Sequence, residues 1–145
     1  MQYVNAIIMN IIWSPKLYLK ILFCITMDVT VYTDSLSNLQ HYKNDFYKVA
    51  VTTYLSYHLQ NKIDTWINDV APSRVLFDQL EQEKVTWDEF LDLYQKEMKD
   101  SHAKSKINWL RDFSKKNDVV LLCHESESDP CCHRHVLKKL IEENT

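Results

Sequence analysis

The sequence predicts an α/β fold: a small, mostly parallel sheet with helices packed on it, forming a single domain. Three observations carry this. Segments of strand pattern alternate with segments of helical period, an order that calls for parallel strands joined by crossovers. The stretch Asp118-Val119-Val120-Leu121-Leu122-Cys123 is a continuous apolar run, the mark of a strand buried on both faces. A chain of 145 residues can also bury one sizeable core without staples.

The elements are expected in the following order. Residues 1–26 are read as an N-terminal extension ahead of the domain, which spans 27–145. Ile7, Ile8, Ile11, Ile12, Leu19 and Ile21 make the extension apolar, yet Pro15, Lys16 and Lys20 interrupt it. A bilayer span needs roughly 20 largely uninterrupted apolar residues, and a signal peptide needs positive charge ahead of the apolar run. Two readings remain: an added element packed on the domain, or an upstream start with Met27 as the natural beginning. Met27-Asp28 leads directly into a strand, which favours the second.

Asp28–Thr33 alternates Val29 and Val31 with Thr30 and Tyr32, a period-two strand. A polar turn is expected over Asp34–Asn38, and a second strand over Phe46–Tyr54, rich in β-branched residues. Leu55–Val70 has no clear period. Ser73 should cap a helix carrying Leu76, Phe77 and Leu80 on one face. Thr86-Trp87-Asp88-Glu89 is a capping box ahead of Phe90, Leu91, Tyr94 and Met98 at helical spacing. A further helix covers Ala103–Lys116, and Asn117 offers a left-handed exit in place of glycine. The buried strand Asp118–Cys123 follows. Asp129 and Pro130 then read as cap and first residue of a last helix, Cys131–Glu143.

Composition excludes several functions. The chain has no glycine, so neither a P-loop nor a G-x-G-x-x-G turn is present, and no cofactor is called for. The formal net charge of −3, with Lys and Arg dispersed, argues against nucleic acid or an anionic membrane as partner. Three of the four cysteines crowd into Cys123–Cys132, and no secretory signal precedes them, which predicts reduced thiols and a cytoplasmic protein. Trp66, Trp87 and Trp109 read as packing residues, and His41, His58 and His102 as exposed.

Chemistry-bearing residues concentrate at the strand ends, where ligands of parallel sheets bind. Thr33, Asp34 and Ser35 end the first strand, Thr52 and Thr53 lie near the end of the second, and Cys123-His124-Glu125 follows the buried one. Cys131-Cys132-His133-Arg134-His135 would form the first turn of the last helix, whose free N–H groups favour anions, a thiolate included.

Leu121-Leu122-Cys123-His124-Glu125, a short loop, then Cys132-His133-Arg134 with Leu137 beyond resembles the C-terminal signature of the family catalogued as domain of unknown function 488 (DUF 488). Val31-Tyr32-Thr33, Ala71-Pro72-Ser73 and the Trp87, Phe90, Tyr94 helix are further, weaker matches, and the resemblance runs from about Met27 to Glu143. It implies an α/β fold and a candidate site, but no established activity. Members usually carry glycine, arginine and proline after the second strand; Tyr54–Val70 has none of them.

Four readings of the site compete. The first is an enzyme acting on a small polar or anionic ligand: Cys132 as thiolate, Cys123 as resolving partner, Arg134 stabilising negative charge, Glu125 or His133 moving protons. The second is a zinc site with Cys131 and His135 on one helix face, completed by Cys123 or His124; that spacing matches no standard module, so no metal is expected. The third, phosphatase or rhodanese-like chemistry, suffers from Glu125, Glu127 and Asp129, which repel anions. The fourth is a non-catalytic binding or interaction module in which the cluster is structural.

Overall fold

The computed structural model describes residues 30–143, so the reading of residues 1–26 lies outside the described residues. Four strands form one all-parallel sheet: β1 (Val31–Ser35), β2 (Phe46–Ala50), β3 (Thr65–Trp66) and β4 (Asp118–Cys123), in the order β1-β4-β2-β3. β4, the apolar run, sits between β1 and β2 and pairs with both. That position explains its composition, because neither face and neither edge of the strand meets water. The domain is α/β, as the alternation of patterns predicted.

Among the described residues five α-helices complete it: α1 (Tyr57–Gln60), α2 (Arg74–Glu81), α3 (Trp87–Glu97), α4 (Ser101–Ser114) and α5 (His133–Glu142). One sheet face presents Val31, Val49, Val51, Val119 and Leu121 to the main core, with Phe90, Tyr94, Ile107, Leu110, Leu137 and Ile141 from the helices. The other face, with Ala50, Val120 and Leu122, is closed by Leu36, Leu39 and Leu55. The Arg111 guanidinium bonds the Leu140 and Ile141 carbonyls and caps the end of α5. Among the described residues no helix is long and apolar enough to cross a membrane.

Three helix starts form as their sequences dictate. Ser73 Oγ accepts from Leu76 N, and Thr86 and Glu89 make both bonds of the capping box. Asp100 caps α4, which begins two residues before the expected Ala103.

Other expectations are corrected. The first strand continues through Asp34 and Ser35, and a 3-10 helix, Leu36–His41, replaces the turn. β2 stops at Ala50, past which Val51 N bonds the Leu122 carbonyl but the Val51 and Thr52 carbonyls bond side chains instead of a strand. The period-free excursion holds β3, too short to read as a strand. Trp66 and Trp109 sit at the rim, about two-fifths exposed. His41, His58 and His102 are exposed, as expected.

Helix ends also depart from the expected exits. Asn117 is not left-handed; its amide donates to the Phe113 carbonyl and closes α4 by side chain. Among the described residues positive φ occurs at Glu83, φ 54°, just past α2. Glu83 N bonds Leu80 O and Lys84 N bonds Gln79 O, so a glutamate occupies the position where most chains place glycine.

The start of α5 matters most. Asp129 does not cap the helix: its carboxylate takes the Cys131 N–H in a local turn, and the helix begins at His133 with Cys132 as N-cap. Cys131 and His135 therefore do not share a helix face. Cys131 is exposed, and His135 Nε2 donates to the Asp129 carbonyl.

Candidate functional site

Alternation along β4 sends Val119, Leu121 and Cys123 to the helix-covered face of the sheet. There the N-cap of α5 arrives, so Cys123 at the strand end meets Cys132 and His133 at the helix start. The loop between them turns Glu125 inward. Its Oε2 lies 2.6 Å from Cys123 Sγ and 3.2 Å from Cys132 Sγ, accepting from both thiols.

His133 Nε2 lies 2.7 Å from the Val51 carbonyl. A carbonyl only accepts, so Nε2 carries the proton and donates it. This leaves Nδ1 turned to the sulfurs, 4.0 Å from Cys123 Sγ and 4.0 Å from Cys132 Sγ. The Tyr94 ring, 5.4 Å away, packs edge-on against the imidazole, and Tyr94 Oη is anchored on the Val70 carbonyl.

The two thiols are driven apart in acidity. The hydrogen bond from Cys123 holds Cys132 down, against burial; the hydrogen bond and charge of His133 and the Arg134 N–H add to it, and the thiol titrates at about 6. The same bond to Cys132 pushes Cys123 up, reinforced by burial and by the charges of Cys132 and Glu125. Burial raises Glu125, but the hydrogen bonds it accepts, led by that of Cys123, leave it lower than usual. The helix-start N–H groups act as the sequence suggested; the Arg134 guanidinium does not, because it points away. Fully buried, it donates from Nη1 to Glu125 O (2.9 Å) and from Nη2 to Ser126 O (2.5 Å), while Nε has no partner. It positions the loop rather than facing a ligand.

Beside the sulfurs lies a small cavity, about 60 Å³, large enough for a few waters. Cys123, Glu125 and His133 line it together with Thr52, Thr53, Pro72 and Phe77. Both threonine hydroxyls are already donated, Thr52 to Tyr54 O and Thr53 to Pro72 O. Cys132 is 2% exposed and lies behind this lining.

The structure thus brings together Cys123, Glu125, Cys132 and His133, with Thr52 and Thr53 in the lining of the same cavity. It does not bring Thr33, Asp34 or Ser35 to the cavity. Thr33 pairs in register with Leu121 inside the sheet, Asp34 is held by Tyr42 and Asn38, and Ser35 accepts from Ser37. Sequence reasoning missed the Val51 carbonyl, which no side-chain pattern could reveal. Trp66, expected to pack, and His124, considered as a metal ligand, instead bond the Thr52 and Tyr54 carbonyls through their ring N–H groups.

A family model described as the active DUF488-N3 subclade (DUF488-N3a) matches residues 31–145. The chain belongs to this family. The match takes in every site residue from Thr33 to Arg134, and the Cys-x-Glu and Cys-His-Arg segments of this DUF488 domain are the ones that meet at the two sulfurs. No curated protein and no solved structure gives a significant match to the chain.

Proposed function

We propose that this DUF488 domain is an enzyme acting on a small polar molecule, with the Cys132 sulfur as nucleophile and His133 as its base. One observation supports it above the others: the Nε2–H bond to Val51 O fixes the imidazole with Nδ1 facing the Cys132 sulfur. In the step proposed, the Cys132 thiolate, its proton already passed to His133 Nδ1, bonds an electrophilic carbon, and the leaving group departs with that proton. Glu125, ionised and in contact with both thiols, keeps the pair oriented. An anionic ligand is the weaker choice, because Arg134 is spent on backbone carbonyls and the carboxylate faces the cavity.

One observation favours a second reading, a binding module with a structural cluster: Cys132 and Arg134 are both almost wholly buried. Alkylation by iodoacetamide at about pH 7, where an ordinary thiol is mostly protonated, separates the two. The enzyme reading expects Cys132 to react faster than exposed Cys131 and to slow about tenfold in His133→Gln. A Cys132 that lags behind Cys131 in the folded chain selects the module.

A further inference from the structure

We propose that Cys123, Cys132 and His133 form a binding site for a thiophilic divalent cation, zinc before others, which caps the two sulfurs. The donor atoms, two Sγ and the His133 Nδ1, lie within 4.8 Å of one another, and all three residues are buried. Around tetrahedral zinc, with Zn–S and Zn–N bonds near 2.3 and 2.0 Å, such donors stand roughly 3.5–3.8 Å apart. Both sulfur-to-nitrogen separations are 4.0 Å. Each need close by only about half an ångström to meet that geometry.

Two further features fit. An imidazole that ligates a metal through one nitrogen donates its other N–H to a carbonyl or carboxylate, which fixes the ring; His133 does this with Val51 O. Charge balance also holds. A dication held by two thiolates is matched by their two negative charges, so no uncompensated positive charge enters the interior. Glu125 Oε2, already against both sulfurs, is the side chain within reach of a fourth position. Sulfur and imidazole donors select zinc over magnesium or calcium. This site is not the Cys131 and His135 pairing considered from sequence spacing, which the start of α5 separates.

The inference shares its residues with the proposed reaction but rests on their geometry, not on their reactivity. A cation on the Cys132 sulfur removes the nucleophile, so zinc is an off-switch for that site.

The test uses the full chain with Cys24 and Cys131 both changed to Ser, stripped of metal with a chelator. Zinc is titrated against a chromophoric chelator, and cobalt serves as a spectroscopic probe of the ligands. The expected result is one zinc per chain and a tetrahedral cobalt spectrum with thiolate charge-transfer bands. A further Cys123→Ser change should weaken binding by about a hundredfold or more. A sulfur-free octahedral cobalt spectrum, no binding at micromolar zinc, or affinity unchanged by Cys123→Ser would each overturn the site. Should Cys123→Ser fail to fold, the cobalt spectrum of the parent protein decides. Zinc binding with a sluggish Cys132 in the metal-free protein would sink the enzyme reading and leave the metal site standing.

Discussion

Arg134 reaches back nine residues to the Glu125 carbonyl, 2.9 Å from its Nη1, and to the Ser126 carbonyl beside it. A fully buried guanidinium thereby holds the loop that carries the Glu125 carboxylate to the two sulfurs. Its planar fork reaches two carbonyls at once, which a lysine ammonium on a flexible stem does not reproduce.

Arg134→Met should therefore destabilise the fold by about 2–3 kcal/mol, the loss of two hydrogen bonds from a charged donor to the Glu125 and Ser126 carbonyls. Arg134→Lys should recover only part of this. Urea midpoints at constant m-value measure both. An Arg134→Met protein as stable as the parent would show that the buried charge costs as much as its hydrogen bonds return.

Stability should fall in acid through Asp34. Burial raises this carboxyl, but hydrogen bonds from Tyr42, Asn38 and the Ser35 N–H, with the Arg134 charge, more than offset it and leave the pKa below the ordinary 3.8. The sign follows from a depressed folded value: the contribution is full above 3.8 and is lost as pH falls through the folded pKa. Asp34→Asn should flatten the acid limb of a stability-against-pH curve. Tyr42→Phe, which removes a 2.6 Å bond to the carboxylate, should cost about 1–2 kcal/mol at neutral pH. Identical acid limbs in parent and Asp34→Asn would rule this carboxyl out as their source.

The capping box of α3 makes a local prediction independent of the site. Thr86→Ala should cost about 1 kcal/mol, and Glu89→Ala should cost less because the Thr86 hydroxyl still accepts the backbone N–H at position 89. Thermal unfolding of the two variants checks the order, and Cys132 alkylation should be unchanged in both.

The sequence by itself determined the α/β class, the central strand, the caps at Ser73 and Thr86, and the pairing of a strand-end Cys-x-Glu with a Cys-His-Arg helix start. These are legible because they depend on local spacing: apolar runs, helical period, and side chains that bond backbone a few residues away. Tertiary structure decided the rest. It ended β2 at Ala50, past which the Val51 and Thr52 carbonyls bond the His133 and Trp66 side chains instead of a strand. It began α5 at His133 instead of Cys131, because Asp129 satisfied a nearer N–H. That shift moved the candidate metal ligands from Cys131 and His135 to Cys123, Cys132 and His133. Above all it supplied the Val51 carbonyl, 82 residues from His133 along the chain, which fixes the imidazole toward the sulfurs. Such a partner has no side-chain identity to read: every residue but proline offers the same N–H, every residue the same C=O, and only the folded path says which one arrives.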